Sequence, residues 1–271
     1  IIGAVSTGYV FGQTSTVDKL KTMLEKEVII YEGNTSIVST LEYQQNSETD
    51  ANVSDSWTSD EDNRLVGITL DNPEVIKNTP DLKGMNVTIP YKEVVMPFLD
   101  KLSKKAALIG AVNTIKITKK GKLKGYNTDY YGFKKSLEPL LRQHHKKALI
   151  LGTGGASKGV AFALDELGIP YTFVSREAKE NGIDYNRINA TTFDNYQVII
   201  NSTPVGTSPN VAAFPAIPYE FFTEKHIAFD LIYNPAETQF LKKAKQQGAQ
   251  IKNGLDMLVF QAEKAWEIWN K

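Results

Sequence analysis

Gly152-Thr153-Gly154-Gly155-Ala156 sits between the apolar run Ala148 to Leu151 and a segment with apolar residues at helical spacing. That segment carries Val160, Ala161, Ala163, Leu164 and Leu167 and stops at Gly168. Ala148 to Leu151 is too short for a surface helix and suits a buried parallel strand. Strand, glycine turn and helix in that order can cradle a pyrophosphate. The glycines let the backbone turn sharply and approach the ligand, and the helix start offers unpaired N–H groups and the positive end of its dipole. A tight strand-to-helix turn without a ligand reads the same way on these residues alone. In a nucleotide-binding βαβ unit the second strand ends beside the adenosine ribose. Here Tyr171 to Val174 ends in Ser175-Arg176, with Lys179 close behind and Glu177 as an awkward neighbour. A hydroxyl and a guanidinium suit a 2′-phosphate, which predicts NADP over NAD. The plain alternative is that Arg176 is a solvated loop residue.

Lys92 follows a proline turn at the end of the strand-like stretch that starts at Asn86. An ammonium there can donate to a reacting oxygen and stabilise developing charge, or simply pair with Glu93 at the surface. The elements that position these groups follow from apolar patterning. Val198 to Ile200 reads as a third strand, ending in Asn201-Ser202-Thr203-Pro204-Val205-Gly206. Ile227 to Ile232 reads as a fourth, ending at Tyr233-Asn234-Pro235. Helices are expected over Glu237 to Gln247 and Leu255 to Trp269. Strands alternating with helices mean a parallel sheet with ligands at the carboxyl ends of its strands.

Upstream, a helix carrying Val94, Val95, Phe98 and Leu99 is expected after the proline turn, then a strand over Ile109 to Lys116 and a hairpin at Lys119 to Lys122. Gly125 to Asp129 opens a helix, for which Asn127, Thr128 and Asp129 are all cap candidates. Earlier still, Ile1-Ile2-Gly3 starts like a strand, Thr16-Val17-Asp18 opens an amphipathic helix, and Val28 to Tyr31 is a further apolar run. Residues of about 42 to 62 are almost entirely polar and read as a solvated insertion.

The 271 residues suffice for one large domain or two ordinary ones. Equal numbers of basic and acidic residues, 31 each, give no reason to expect nucleic acid or an acidic membrane as partner. No run approaches the roughly 18 apolar residues of a membrane span, and no secretory leader is read. The chain begins at Ile1 rather than Met, so a trimmed start is expected. The absence of cysteine removes disulfide and thiolate chemistry and fits the cytoplasm. Only His144, His145 and His226 supply imidazole, two of them in a polar junction, so no metal site is expected.

From about Asp81 onward the chain resembles the shikimate dehydrogenase family. The stretches NVTIPYKE, GAVNTIK, YNTDYYGF, LILGTGGASKGVAFAL, INSTPVGT, DLIYNP and NGLDMLVFQAEKAWEIW match its motifs in order. The resemblance implies an α/β fold of two domains, an N-terminal α/β substrate domain and a Rossmann-like NADP-binding domain, with the active site in the cleft between them. The substrate domain would be residues 1–128 plus 254–271 and the dinucleotide-binding domain 129–253. The implied activity is the reversible NADPH-dependent reduction of 3-dehydroshikimate to shikimate in aromatic amino acid biosynthesis. Lys92 and Asp129 would form the catalytic pair. Thr88, Asn113, Gln261 and Tyr233 would contact the polyhydroxy acid. Gly152, Thr153, Gly154, Gly155, Ala156, Ser175, Arg176, Thr203, Leu231 and Gly254 would hold NADP. The partner would be this small molecule, and the protein a monomer or homodimer.

The sequence departs from the family at its beginning. The family's G-H-S-x-S turn, whose serines grip the substrate carboxylate, is absent. Its nearest match is Gly12-Gln13-Thr14-Ser15-Thr16, which makes Thr14 and Thr16 the carboxylate candidates and Ser6 and Thr7 the next. Thr14 and Thr16 are equally N-cap candidates for the following helix. Two other functions compete: a quinate/shikimate dehydrogenase with a broader pocket, and a non-catalytic sensor of related metabolites. A sensor has no need of the Lys92 and Asp129 pair.

Overall fold

The structure, a computed structural model, describes residues 83–87, 91–177 and 182–271. Thr14, Thr16, Thr88, Lys179 and the polar stretch 42–62 lie outside the described residues. The chain divides into two compact units.

The first, a mixed-sheet unit, takes the described residues up to Leu108 together with Val112–Tyr126 and Glu263–Lys271. Its strands are β1 (Gly84–Asn86), β2 (Lys101–Leu102), β3 (Thr114–Ile117) and β4 (Leu123–Tyr126), in the order β1-β3-β4-β2. β3 runs antiparallel to both β1 and β4, whereas β2 is parallel to β4. The expected hairpin joins β3 to β4: Gly121 takes φ +72°, and the Thr118 N–H donates to the Lys122 carbonyl at 2.9 Å. Met85, Val87, Val95, Val112, Ile115 and Leu123 make the core. Trp269 closes it, its indole N–H donating to the Ile115 carbonyl at 2.9 Å. Only a glycine fits at position 84, where a Cβ would stand 2.2 Å from both that carbonyl and the indole nitrogen.

Two expectations fail here. The helix around Val94 to Leu99 is instead a turn followed by one 3-10 turn, Met96–Phe98. Pro97 has no N–H to continue an α-helix, and only Val95 of the four apolar residues is buried. Ile109 to Lys116 is not one strand. Helix α1 (Lys104–Ile109) ends there, Gly110 turns the chain at φ +70°, and pairing begins at Thr114.

The second, a parallel-sheet unit, takes Ile109–Ala111 and Asn127–Ala262. In it lie α2 (Asp129–Leu137), β5 (Ala148–Leu151), α3 (Gly155–Glu166), β6 (Tyr171–Ser175), β7 (Gly182–Asp184), α4 (Ala190–Asn195), β8 (Val198–Asn201), β9 (Ile227–Asp230), α5 (Gln239–Gln246) and β10 (Gln250–Lys252). Helix α6 (Leu255–Trp269) starts in this unit and ends in the other. All six strands are parallel, in the order β10-β9-β8-β5-β6-β7. That is the doubly wound arrangement, with β5 in first place and the order reversing between β5 and β8. The pleat sends Ala148 and Ile150 into the core on one face, and Leu149 and Leu151 into the core on the other. Helix α2 buries Asp129, Gly132, Phe133, Ser136 and Leu137, a single stripe at helical spacing.

Val198 to Asn201 is therefore the fourth strand of this sheet, not the third, because β7 intervenes. β7 and β10 are three-residue edge strands with too few apolar residues to pattern. β9 stops at Asp230 rather than Ile232. The Asp230 Oδ1 accepts from the Ile232 N–H at 3.1 Å and folds the backbone away from the ladder. The same oxygen accepts from Asn201 Nδ2 at 3.0 Å, and Oδ2 from the Thr238 hydroxyl at 2.6 Å. Within the polar junction His144 is exposed, whereas His145 is buried, its Nδ1 accepting from the Arg142 N–H at 2.8 Å. Among the described residues no helix is long and apolar enough to cross a membrane.

Gly132 allows α2 to lie against the backbone of α6: an added Cβ would come 2.3 Å from the Met257 carbonyl oxygen. Gly132→Ala is expected to lose about 1–3 kcal/mol of stability, the usual range for overpacking, measured by urea unfolding. An unchanged midpoint would contradict the packing described.

Burial pushes the Asp230 carboxyl up to about 7, against the pull of its three hydrogen bonds. The folded chain thus binds this proton more tightly than the unfolded chain. Its contribution to stability is full below the ordinary value of 3.8 and is lost as pH rises towards 7. His145 has the opposite sign: burial, aided by His144, lowers it to about 4, so its contribution grows as pH rises from there to 6.5. Asp230→Asn removes only the falling component. Its stability relative to the unsubstituted protein should improve between about pH 5 and about pH 7.5. A difference that does not change with pH would reject Asp230 as the titrating group.

Candidate active site

The glycine turn begins where β5 ends. Gly152 has φ +103°, and its N–H donates to the Val174 carbonyl at 2.8 Å. A Cβ there would stand 2.9 Å from Thr203 Cγ2 and 3.2 Å from Ser202 Oγ, so the turn closes against the loop after β8. Gly154 starts α3 in extended conformation, and no side chain caps that helix. Among the described residues a Cβ on Gly154 would meet nothing within 4 Å. An uncapped helix start behind an open glycine, at the reversal of strand order, fits a dinucleotide pyrophosphate. Thr153 and Gly154 are exposed, with Gly155 and Ala156 half-buried behind them.

Other expected cofactor residues reach the same edge of the sheet. Thr203 follows β8 and is held by Asn201 Oδ1, which accepts from its hydroxyl at 2.6 Å and its N–H at 3.1 Å. Leu231 follows β9, and its N–H donates to the Asn201 carbonyl at 3.0 Å. Gly254 lies so close beneath it that an added Cβ would stand 2.0 Å from the Leu231 carbonyl oxygen. Gly152, Thr203, Leu231 and Gly254 thus converge on the carboxyl ends of β5, β8 and β9. At the end of β6 the Ser175 hydroxyl donates to the Glu177 carbonyl. Arg176 is exposed, and its charge acts on the Tyr185 hydroxyl, whose pKa burial raises. Tyr185 was not anticipated, because it is delivered by β7, a strand the apolar pattern does not mark.

In the same unit, Asp129 is the first residue of α2 and is buried. Of the three cap candidates, Asn127 does the capping. Its Oδ1 accepts from the Tyr130 N–H at 3.3 Å, while its Nδ2 donates to the Ala111 carbonyl at 3.1 Å. Thr128 instead donates its hydroxyl to Gln261 Oε1 at 3.3 Å, and Gln261 Nε2 donates to the Leu258 carbonyl at 3.0 Å. Gly159 of α3 faces Asp129, where a Cβ would stand 3.4 Å from the aspartate Cβ. Asp129, Thr128, Gln261 and the helix behind the glycine turn are therefore brought together. Tyr233, half-buried, follows the end of β9.

Lys92 and Asn113 belong to the mixed-sheet unit. The Lys92 carbonyl accepts from the Val112 N–H at 2.7 Å, which places the lysine's backbone beside the residue preceding Asn113. Asn113 is 3% exposed. Its carbonyl accepts from the Val87 N–H at 2.7 Å, and its Oδ1 from the Thr114 hydroxyl at 3.1 Å. Among the described residues no group of three or more His, Asp or Glu is gathered as a metal centre.

Asp230 and Asn201 were not singled out as site residues. Their signal was available, since each ends a fully apolar strand with a polar residue: Val-Ile-Ile-Asn and Ile-Ala-Phe-Asp.

A profile of the shikimate dehydrogenase substrate binding domain matches residues 71–115. A shikimate dehydrogenase (NADP+) of Carboxydothermus hydrogenoformans is 42% identical over 204 residues, which are 70% of this chain and 72% of that protein. The structure is similar to that of Thermus thermophilus shikimate 5-dehydrogenase in complex with NADP(H) and shikimate. That match has a TM-score of 0.64 and 34% identity and covers 73% of this chain and 77% of that one. It also resembles a quinate dehydrogenase from Corynebacterium glutamicum in complex with NAD, with a TM-score of 0.64 and 28% identity, covering 74% and 75% of the two chains. A glycine turn at the reversal point of a doubly wound sheet, and relatives this similar over this much of their length, lead to one conclusion: the chain belongs to the shikimate dehydrogenase family.

Proposed function

We propose that this protein catalyses the reversible NADPH-dependent reduction of 3-dehydroshikimate to shikimate, a step of aromatic amino acid biosynthesis. The observation that carries the reading is the uncapped start of α3 behind Gly154, at the reversal of strand order, with Thr203 closing on Gly152. Residues 129–253 would serve the cofactor, and residues 1–128 with 254–271 the substrate. We place the protein in the cytoplasm as a monomer or homodimer acting on this small molecule.

NADPH, when bound, supplies the hydride for the carbonyl carbon. Lys92 donates a proton to the carbonyl oxygen as its charge develops, and takes it back in the reverse direction. Asp129 orients that ammonium and shares the substrate hydroxyl. Asn113, Gln261, Tyr233 and Thr88 offer donors and acceptors to the polyhydroxy acid, so that a substrate lacking a hydroxyl leaves a buried polar group unmatched. Thr14 and Thr16 hold the carboxylate. The backbone N–H groups of Gly154, Gly155 and Ala156 receive the pyrophosphate, with Thr153 beside them. Arg176 pairs with the 2′-phosphate. Ser175 joins it by turning its hydroxyl away from the Glu177 carbonyl.

A quinate dehydrogenase using NAD is the second reading, favoured by the similarity to the Corynebacterium glutamicum structure and by Glu177 next to Arg176. Spectrophotometric assays with shikimate or quinate, each with NADP+ or NAD+, separate the two. No turnover with any pair would favour a sensor.

Lys92→Ala should abolish turnover while shikimate affinity stays within about tenfold, because the lysine acts mainly in the transition state. Asp129→Asn should lower kcat by about a hundredfold or more. Near-normal turnover in either would dissolve the pair.

Efficiency with NADP+ should exceed that with NAD+ by at least about tenfold, within reach of one charge-assisted contact. Arg176→Ala should erase most of that margin by raising the KM for NADP+. Equal use of both cofactors by the unsubstituted protein would reject this assignment.

A further inference from the structure

The loops at the carboxyl ends of β8 and β9 are tied together by one buried polar chain. Asn201 Oδ1 accepts from both the N–H and the hydroxyl of Thr203, and the Thr203 oxygen accepts from the Val205 N–H at 3.2 Å. The shape of the Thr203 turn therefore depends on which way the Asn201 amide faces. An amide has one acceptor end and one donor end. Its oxygen points at Thr203 while its NH2 donates to Asp230 Oδ1 at 3.0 Å and, at the longer distance of 3.4 Å, to the Val205 carbonyl of the same turn.

Asp230 is itself held from two further directions. The Ile232 N–H donates to Oδ1 and the Thr238 hydroxyl to Oδ2, and Thr238 is anchored as the cap of α5, accepting from the Leu241 N–H at 3.3 Å. Asp230, Asn201 and Thr238 are at most 1% exposed. Among the described residues no cation stands against this buried carboxyl, which therefore costs stability, and an apolar group would fill the same space more cheaply. What an apolar group could not do is set the direction of the Asn201 amide.

We propose that Asp230 is a positioning residue for the cofactor: acting through Asn201, it holds the Thr203 turn against Gly152 without itself touching the cofactor. This rests on the reading above in which Gly152 and Thr203 bind NADP. Oδ1 also fixes the Ile232 N–H and with it the turn bearing the Leu231 carbonyl, so the loops after β8 and β9 share one anchor.

The test is NADP+ binding by calorimetry, together with shikimate kinetics and thermal midpoints, on the full chain. Asn201→Ala and Asp230→Ala should each raise the Kd for NADP+ about tenfold. Because one acts through the other, the double variant should stay within about threefold of Asn201→Ala alone. The KM for shikimate at saturating NADP+ should change less than about twofold. Losses that multiply in the double variant overturn the proposal. So does an unchanged Kd in variants whose thermal midpoint has fallen, which would make the chain a support of the fold only. Should Asp230→Ala not fold, Asp230→Asn keeps an acceptor at Oδ1 and should hold the Kd within about threefold while Asn201→Ala still loses tenfold. Full affinity in Asn201→Ala then overturns the proposal. Failure of the unsubstituted protein to bind NADP+ overturns the cofactor reading and this inference together, whereas binding that no variant weakens overturns this inference alone.

Discussion

Strand β5 has four residues, and none of their side chains reaches water. Successive side chains enter different cores, one under α2 and α3, the other under α5. A strand buried on both faces has no room for a polar group along its length, so what polar chemistry such a strand offers is confined to its ends. β8 and β9 obey the same constraint. Each is apolar until its last residue, where Asn201 and Asp230 appear side by side. The glycine turn, the Thr203 turn and the Leu231 turn follow from this: the sheet can present function only where its strands stop.

That constraint also explains what could be read from the chain unaided. Four-residue apolar runs bounded by Gly, Asn and Pro signal strands because nothing else tolerates them, and the glycine turn is recognisable because it follows such a run directly. Helices α5 and α6 were legible from apolar periodicity, although α5 starts two residues later than Glu237, where Thr238 caps it. The β3 to β4 hairpin was legible because Gly121 sits where a left-handed residue is needed.

The failures have physical causes of their own. Edge strands such as β7 and β10 bury little, so Gly-Ile-Asp and Gln-Ile-Lys carry almost no apolar signal. Val94, Val95, Phe98 and Leu99 have helical spacing, but Pro97 interrupts the hydrogen bonds that spacing presupposes. Ile109 is apolar for the benefit of a helix end rather than a strand. Asn127, Thr128 and Asp129 are chemically interchangeable as caps. Tertiary partners decide among them: Gln261 takes the Thr128 hydroxyl, leaving Asn127 to cap the helix.

The slot at Gly84 has a bearing on how the protein is made. The mixed sheet is complete in sequence once Tyr126 has been added, yet the indole that fills the slot and caps the Ile115 carbonyl comes from Trp269. Between them lies the parallel-sheet unit apart from Ile109–Ala111. Until those last residues leave the ribosome, the slot at Gly84 and the Ile115 carbonyl lack the indole that covers them. A contact made by the last residues to be translated therefore completes the sheet that was translated before them.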